Sequence, residues 1–246
     1  MTLRIGIAGI TGRMGILLAQ AAEDAGMSLA GGTSRASPTL AALSATCDVV
    51  VDFTNAALVT DHARVISDAG IAWVLGTSGL SADDEAAVGE AARRIPVVYA
   101  ANFSPGVTLV LALAERMARA LPAIDYDVEI VEMHHRQKVD APSGTAVALG
   151  RAVATGRGVE LAMVRESGRD GYTGPRATGV IGFSAMRGGQ VVGEHTLLFA
   201  AADEQIALTH RAFDRRTFAV GAIRAAQWVV GRAPGLYDMA DVLGLR

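Results

Sequence analysis

The 246-residue sequence predicts an α/β protein with two domains, a parallel-sheet domain and a second α+β domain with a mixed sheet. Up to about residue 103, short apolar runs alternate with alanine-rich segments of helical periodicity. This alternation indicates strand-helix units around a parallel sheet that is covered on both faces. Beyond residue 106 the pattern changes to helix, strand, loop and helix, followed by three β-rich segments. Such a run of strands is typical of a separate domain with a mixed or antiparallel sheet.

Each element follows from a local pattern of residues. The first domain is expected to hold strands at 3–8, 28–32, 49–53, 73–76 and 97–100 and helices at 13–25, 40–44, 56–69 and 82–94. The second is expected to hold helices at 108–121 and 145–154, a strand at 126–134, and β-rich segments at 180–187, 190–201 and 204–212. The glycine pair at 188–189 predicts a hairpin between the first two of these segments. A helix at 216–230 and a short piece at 239–243 follow.

Composition excludes several classes of function. The formal net charge is -3 and the basic residues are scattered, so no nucleic-acid partner is expected. No apolar run approaches the ~18 residues that span a bilayer, and the first residues are too short and glycine-rich for a signal peptide. We therefore expect a soluble, cytoplasmic protein with no membrane partner. The lone Cys47 cannot form an intramolecular disulfide and is expected to be a small buried residue rather than a catalytic thiol.

The basic residues contain one unusual member. Of the 22 Lys and Arg residues, Lys138 is the single lysine. A compositional bias towards Arg explains the rest, because solvated surface positions tolerate Arg. A desolvated lysine can release a proton near neutral pH, whereas arginine effectively cannot. The position of Lys138 is therefore a candidate for proton transfer.

A glycine turn follows the first predicted strand and opens the first helix. Glycines at 9, 12 and 15 allow a tight turn and a close approach of the backbone to a pyrophosphate, as in a Rossmann-like dinucleotide site. A purely structural turn is the alternative. The predicted cofactor-binding residues of this turn are Gly9, Ile10, Thr11, Gly12, Arg13 and Met14.

Further cofactor residues are expected where other strands of the sheet end. The second strand is followed by Ser34 and Arg35 and by no carboxylate, a pattern that favours the 2′-phosphate of NADPH, with NADH use possible. Two later loops follow strand ends that line the nucleotide site in such sheets, although ordinary turn chemistry also explains them. Their predicted binding residues are Gly76, Thr77, Ser78, Ala100, Ala101, Asn102 and Phe103.

The segment from His134 to Thr145 carries most of the chemical information. His134 and His135 are adjacent, Lys138 follows, and Ser143, Gly144 and Thr145 open a helix. Free N–H groups at a helix start bind carboxylate or phosphate, and Lys and His add transferable protons. Hydrogen-bonded structural histidines are the alternative, and a metal site is a weaker one because no third ligand stands at a convincing spacing. We therefore expect no metal.

Geometry places one condition on this segment. On a regular strand, residues 134 and 138 would lie ~13 Å apart, too far to share one small substrate. They converge only if the chain leaves the strand after His134 and curls. Residues 137–142 have the composition of such a loop, since Asp140, Ala141 and Pro142 do not suit a central strand.

The segment His-His-Arg-Gln-Lys-Val-Asp-Ala-Pro-Ser-Gly-Thr-Ala, residues 134–146, resembles the signature of the 4-hydroxy-tetrahydrodipicolinate reductase (dihydrodipicolinate reductase) family. The resemblance covers nearly the whole chain. It includes residues 9–15, 51–54, 76–78, 100–103, 181–183, 193–195 and 209–210.

The resemblance implies reduction of a cyclic imine dicarboxylate in the diaminopimelate route to lysine, with a nicotinamide cofactor and usually a homotetramer. His134 matches the acid/base histidine of the family and Lys138 its proton donor. The residues matching the carboxylate-binding set are His135, Ser143, Gly144 and Thr145. Residues 1–104 and 216–246 would then form the dinucleotide-binding domain, and residues 105–215 the substrate-binding and oligomerisation domain.

Two departures from the family leave the chemical motif intact. Many members carry an acidic residue where Ser34 stands, which leaves the coenzyme preference open, and the region between Ser34 and Asp48 is short. Two other functions remain as alternatives. A related two-domain reductase would act on another imine or aldehyde. A non-catalytic nucleotide sensor would bind NADPH without turnover and would leave the motif around Lys138 without a purpose.

Overall fold

A computed structural model of the protein describes residues 2–34 and 38–246. It divides the chain into two units, Met1–Pro105 with Arg215–Arg246, and Gly106–Asp214. The described strands are β1 Arg4–Ala8, β2 Ser28–Gly32, β3 Val49–Asp52, β4 Ala72–Leu75, β5 Pro96–Tyr99, β6 Asp127–His134, β7 Arg165–Ser167, β8 Ile181–Arg187, β9 Gly193–Ala200, β10 Gln205–Ala212 and β11 Gly235–Tyr237. The described α-helices are α1 Arg13–Asp24, α2 Leu40–Ser44, α3 Val59–Ala69, α4 Ala82–Ala92, α5 Pro105–Ala120, α6 Gly144–Arg157, α7 Leu161–Val164, α8 Arg216–Val229 and α9 Met239–Leu243.

The first unit is built on a six-stranded sheet whose paired strands are all parallel, in the order β11-β5-β4-β3-β1-β2. Its strands are apolar on both sides because helices cover both faces. One core joins alternate strand residues such as Ile7 and Val51 to α1, α8 and α9. The other joins residues such as Val50 and Trp73 to α2, α3 and α4. This confirms the predicted Rossmann-like sheet.

The second unit contains a five-stranded sheet in the order β10-β9-β6-β8-β7. Strand β6 pairs in parallel with β8 and antiparallel with β9, so the sheet is mixed, as predicted. Along β6, Val128, Ile130, Glu132 and His134 alternate onto the same buried face. The first two pack with α5 and α6 in the apolar core of the unit. The last two continue the same row with polar side chains.

The predicted hairpin at residues 188–189 is wrong. Strands β8 and β9 run in opposite directions, but they are not neighbours, because β6 lies between them. The connecting loop crosses the end of β6: the Gly188 N–H donates to the carbonyl of His134 at 2.9 Å, and the Gly189 carbonyl accepts from the Arg136 N–H at 3.3 Å. A glycine pair signals a reversal of the chain, but it does not reveal which strand pairs with the next one.

Smaller differences concern element ends. Strands β3, β4 and β5 end at Asp52, Leu75 and Tyr99, one residue earlier than expected. Helix α6 is longer at both ends than expected. The short elements β7, α7 and β11 were not predicted, because three or four residues are too few to show a period. None of the described helices combines the length and hydropathy needed to cross a bilayer.

Cys47 is buried, as predicted. Its sulfur lies 2.8 Å from the position that a Cβ on Gly6 would occupy, so the thiol fills the space beside that glycine. Burial raises the pKa of the thiol to about 11. A nucleophilic cysteine requires the opposite shift, so Cys47 has no features of a catalytic thiol.

Candidate active site

In the first unit, the glycine turn after β1 is shaped by contacts that exclude side chains. Gly9 has φ +77°, in the left-handed region that favours glycine. A Cβ on Gly15 would lie 2.2 Å from the carbonyl oxygen of Gly9, so α1 can pack against the turn only with glycine there. Gly12 precedes α1 without a side-chain cap, and the first helical turn has no acidic residue. An uncapped helix start of this kind suits a phosphate group.

The neighbouring strand ends hold this turn in place. Thr33, just beyond β2, accepts a hydrogen bond from the Gly9 N–H at 3.1 Å through Oγ1 and another from the Ile10 N–H at 3.0 Å through its carbonyl. After β3, the buried Asp52 accepts from the N–H and hydroxyl of Thr54, and its other oxygen lies 2.7 Å from Nδ1 of His62. The Thr54 methyl group also lies 3.0 Å from the position that a Cβ on Gly9 would take, so the loops after β1, β2 and β3 form one connected carboxyl edge.

The loops after β4 and β5 complete this edge. A Cβ on Gly76 would lie 2.2 Å from the ring of Phe53, and this ring in turn packs on Phe103 with centroids 5.3 Å apart. Thr77 is buried, and its hydroxyl has no hydrogen-bond partner. Asn102 accepts from the Ser104 N–H through Oδ1, which forms a tight turn. The orphaned hydroxyl and the close approach at Gly76 are features that a bound ligand would exploit.

The predicted cofactor residues are distributed over these loops. The turn residues at 9–14 follow β1, residues 76–78 follow β4, and residues 100–103 follow β5. Ser34 lies two residues beyond β2. Arg35 lies outside the described residues. The structure thus places the described members at one edge of one sheet, where ligands of such folds bind.

In the second unit, the site is organised around the carboxylate of Glu132, which is 1% exposed. Its Oε2 accepts from Nδ1 of His134 at 2.6 Å and from Nη1 of Arg187 at 2.8 Å. Its Oε1 accepts from Nη2 of Arg187 at 2.8 Å and from the Ser143 N–H at 3.1 Å. Burial acts to raise the pKa of Glu132, but Arg187, His134 and Ser143 outweigh it and lower the pKa. The carboxylate is therefore ionised.

His134 is the last residue of β6 and is buried. Burial, together with the charges of Lys138 and Arg187, lowers its pKa against the opposing effect of Glu132, so the imidazole is neutral at pH 7. Since Glu132 only accepts hydrogen bonds, the proton of His134 lies on Nδ1, which leaves the lone pair on Nε2. A Cβ on Gly193 would lie 3.0 Å from Nε2, so the glycine keeps this side of the ring open.

Ser143 and His195 form the next contact of the network. Ser143 caps α6, with its hydroxyl accepting from the Ala146 N–H at 3.2 Å, and it lies 2.9 Å from Nε2 of His195. The His195 ring stands edge-on to that of His134, with centroids 5.0 Å apart. Burial is the main cause that lowers the pKa of His195 to about 4; the nearby His134, His210 and Lys138 act in the same direction, and Glu132 opposes them. His195 is therefore a neutral ring.

The chain curls after His134, as the geometric condition required. Strand β6 ends there, and the Lys138 N–H donates to the carbonyl of His135 at 3.1 Å, which closes a turn. The Lys138 ammonium lies 2.8 and 3.0 Å from the two oxygens of Asp140. Its charge acts on His134 and contributes to the low pKa of that ring. Lys138 and His134 thus belong to one electrostatic environment.

The remaining predicted residues lie on either side of this loop. His135 follows β6, and its Nδ1 is buried without a hydrogen-bond partner. Gly144 and Thr145 form the first turn of α6, which contains no acidic residue, and the space around the Gly144 Cα is open. Unlike α1, α6 is capped, by the Ser143 hydroxyl, but the positive end of its dipole still favours an anion beside the first turn.

Three residues of the network were not predicted as site residues. Glu132 lies two positions before His134, and the period of two that puts both on one face was its available signal. His195 lies in the stretch 193–195, which carried part of the family resemblance. It is about 50 residues from the motif, and nothing in the sequence indicated that the two come together. Arg187 was expected only as the last residue of the β-rich segment 180–187. Among the described residues, no group of three or more His, Cys, Asp or Glu could hold a metal ion.

The parallel sheet with its glycine turn, and the reductases to which the chain is similar, identify a nicotinamide-dependent oxidoreductase of two units. A family model described as dihydrodipicolinate reductase, N-terminus, matches residues 3–103, and one described as dihydrodipicolinate reductase, C-terminus, matches residues 106–243. The chain therefore belongs to the dihydrodipicolinate reductase family.

Individual relatives agree with this assignment. The protein named 4-hydroxy-tetrahydrodipicolinate reductase from Gluconacetobacter diazotrophicus is 63% identical over 99% of this chain and 98% of its own length. That from Granulibacter bethesdensis is 62% identical over 100% and 98%. The solved dihydrodipicolinate reductase from Paenisporosarcina sp. TG-14, with dipicolinate bound, has a TM-score of 0.80, 24% identity and coverage of 98% and 99%. At that identity the solved structure supports the fold alone.

The low pKa of His195 predicts an acid-sensitive fold. An unfolded histidine titrates near 6.5, so below that pH the unfolded state takes up a proton that folded His195 does not, until the pH approaches 4. The stability contribution is therefore present above about pH 6.5 and is lost as the pH falls. From about pH 7.5 to 5, the expected loss is on the order of 2 kcal/mol.

Urea unfolding of the wild type and of His195→Asn across this range measures the effect. His134 and His210 also have lowered pKa values and add a dependence of the same sign, so His195 is judged by the difference between the two proteins. We expect a shallower dependence in the variant. Equal slopes in both would show that His195 does not carry this effect.

Proposed function

We propose that the chain reduces 4-hydroxy-tetrahydrodipicolinate to tetrahydrodipicolinate with NAD(P)H, in the diaminopimelate route to lysine. The observation that carries this proposal is the cluster of Glu132, His134, Ser143 and His195 beside Lys138, in a chain that matches relatives named for this reaction over its full length. A neutral histidine, an ammonium group and a helix start together suit a substrate with carboxylates and a site for protonation.

The nucleotide is held by the carboxyl edge of the first unit. Gly9 to Met14 and the uncapped start of α1 receive the pyrophosphate, and the loops 76–78 and 100–103 receive the nicotinamide half. The contacts at Gly15 and Gly76 and the orphaned Thr77 hydroxyl fit this assignment. Once bound, the nicotinamide supplies a hydride. The chain's own part is to bind and orient it.

Lys138 supplies the proton that the reaction consumes. A hydride and one proton enter the substrate, and its 4-hydroxyl group leaves as water, which balances the conversion. The Lys138 ammonium carries a transferable proton, and His134, with a lone pair on Nε2, assists the transfer. The ion pair with Asp140 holds the Lys138 ammonium at the edge of the site.

The substrate carboxylate is held by the start of α6. His135 and Ser143 flank the turn, and the backbone N–H groups of Gly144 and Thr145 belong to the first helical positions, whose N–H groups point away from the helix. Binding the carboxylate there fixes which ring atom faces the hydride and which faces the proton donor.

Steady-state assays of the purified wild type with 4-hydroxy-tetrahydrodipicolinate and either coenzyme test the reaction and the coenzyme together. We expect turnover with both and a higher kcat/KM with NADPH, because Ser34 and Arg35 offer a hydroxyl and a guanidinium to the 2′-phosphate and no carboxylate to the 2′-hydroxyl. Arg35→Ala should lower kcat/KM for NADPH only. No oxidation of either coenzyme would contradict the function, and a higher kcat/KM with NADH would contradict the coenzyme assignment.

The donor role of Lys138 is tested by Lys138→Arg. Arginine keeps the positive charge but does not release a proton near neutral pH, so kcat should fall by roughly 10²–10⁴-fold while KM changes little. Arg151→Lys, an exposed change between the same two residue types on α6, is the matched control and should leave kcat unchanged. A kcat for Lys138→Arg near that of the wild type would rule out the donor role.

We also propose that the chain acts in the cytoplasm as a homotetramer. The resemblance to the family supports this, and so does the second face of the mixed sheet, where Val131, Thr196 and Leu198 remain partly exposed. Light scattering at micromolar concentration should give a mass of about four chains of 25.4 kDa. A monomer mass at that concentration would contradict the tetramer.

A further inference from the structure

We propose that Glu132, held by Arg187, is the positioning residue of the site: its carboxylate fixes the orientation and the protonated nitrogen of His134 and joins them to the start of α6. The inference rests on the proposed function, because His134 matters there as a proton-transfer group. Glu132 itself contacts neither nucleotide nor substrate in this assignment.

The hydrogen-bond partners of Glu132 show why a carboxylate is needed at this position. All four hydrogen bonds to the Glu132 oxygens come from N–H donors: two from Arg187, one from His134 and one from the Ser143 backbone. An ionised carboxylate only accepts hydrogen bonds and has room for about four of them. A glutamine has a single acceptor oxygen, so in either orientation of its amide the NH2 group would face donors. The position therefore requires a carboxylate.

The Glu132 carboxylate fixes both the tautomer and the orientation of His134. With Nδ1–H directed at Oε2, the ring has one tautomer and one orientation, and Nε2 is left as the atom beside Gly193. Without an acceptor at Oε2, the proton of a neutral imidazole is free to move to Nε2. The group that faces the substrate would then change from an acceptor to a donor.

The same carboxylate also connects separate parts of the site. Oε1 holds the N–H of Ser143, the residue that caps α6 and contacts His195. Arg187 extends the connection to the loop, because its Nη2 also donates to the carbonyl of Asp140 at 2.6 Å. The same two oxygens of Glu132 therefore hold three parts of the site in place. These are His134, the start of α6 and, through Arg187, the loop that carries Lys138.

Stability alone does not explain such a pair. A buried ion pair is often no more stabilising than apolar residues of the same volume, since desolvation offsets the attraction. Glu129, on the same strand but the opposite face, supplies a comparison. It is bound by Arg169 and Arg176 at 2.9 Å each, and neither of these hydrogen bonds involves the motif segment. Glu129→Gln is therefore the matched control.

The kinetic experiment compares Glu132→Gln with Glu129→Gln on the full chain. For Glu132→Gln we expect kcat to fall by roughly 10–10²-fold, by analogy with the loss when the partner that orients a metal-ligating histidine is removed, with KM changed by less than about threefold. Glu129→Gln should keep the wild-type kcat. Equal kcat values for the two variants would overturn the positioning role.

The pH profile separates positioning from a general loss of structure. The titratable and charged groups that face His134 are Glu132 on its own strand, His195 on β9, Arg187 on β8 and Lys138 in the loop, with Asp140 paired to Lys138. Of these, Glu132 raises the pKa of His134. Its removal should move the acidic limb of the kcat/KM profile to lower pH. A limb that keeps its position while activity falls would overturn the proposal.

A measurement on the wild type keeps the test valid if Glu132→Gln does not fold. The chain has five histidines, so solid-state ¹⁵N spectra of histidine-labelled protein can be assigned to His134 by loss of its signals in His134→Gln. We expect the proton on Nδ1. A proton on Nε2 would overturn the proposal. The spectrum needs no turnover, so it judges the positioning role even if the wild type fails to reduce the proposed substrate.

Discussion

A carboxylate removed from water needs hydrogen-bond donors for both oxygens, because the cost of burying an unpaired charge is several kcal/mol. Glu132 meets this constraint by drawing donors from three places in the chain: the end of its own strand, the end of β8 and the start of α6. The arrangement of the second unit's site follows from this requirement. His134 must point Nδ1 inward, Ser143 must present its N–H, and the loop crossing the end of β6 must leave room for Arg187.

The first unit solves a related problem with Asp52. This buried carboxylate, at the end of β3, accepts from the N–H and hydroxyl of Thr54 and contacts His62. The methyl group of Thr54 lies 3.0 Å from where a Cβ on Gly9 would be, so the aspartate also limits the glycine turn. In both units a carboxylate at a strand end fixes a loop. In the first unit, the loop fixed by Asp52 exposes backbone and glycine residues that can approach a nucleotide. In the second unit, the loop fixed by Glu132 presents titratable side chains.

How far the sequence predicts this molecule depends on the range of each interaction. Periodicity and burial are local along a strand or helix, so the order of elements, the two sheets and the curl after His134 could be predicted. Pairing between distant strands is not local, which is why the glycine pair after Arg187 predicted a hairpin where the chain crosses β6. The role of Glu132 was not predicted for a similar reason. Its spacing along the strand places it on one face with His134, but only its contacts with Arg187 and Ser143, 55 and 11 residues away, show what it holds.

The two cations near His134, Arg187 and Lys138, must meet opposite chemical requirements. The residue type at each position suits its requirement. Arg187 must remain charged and must offer two parallel N–H groups to one carboxylate, which suits a guanidinium. A lysine there would leave one oxygen of Glu132 short of a donor. The proposed role of Lys138 requires the reverse, a single ammonium able to lose its proton. The other 21 basic residues of the chain are arginines. A general preference for Arg therefore explains Arg187, where arginine also suits the contact with Glu132. It does not explain Lys138, where arginine would retain the charge and lose the proton transfer.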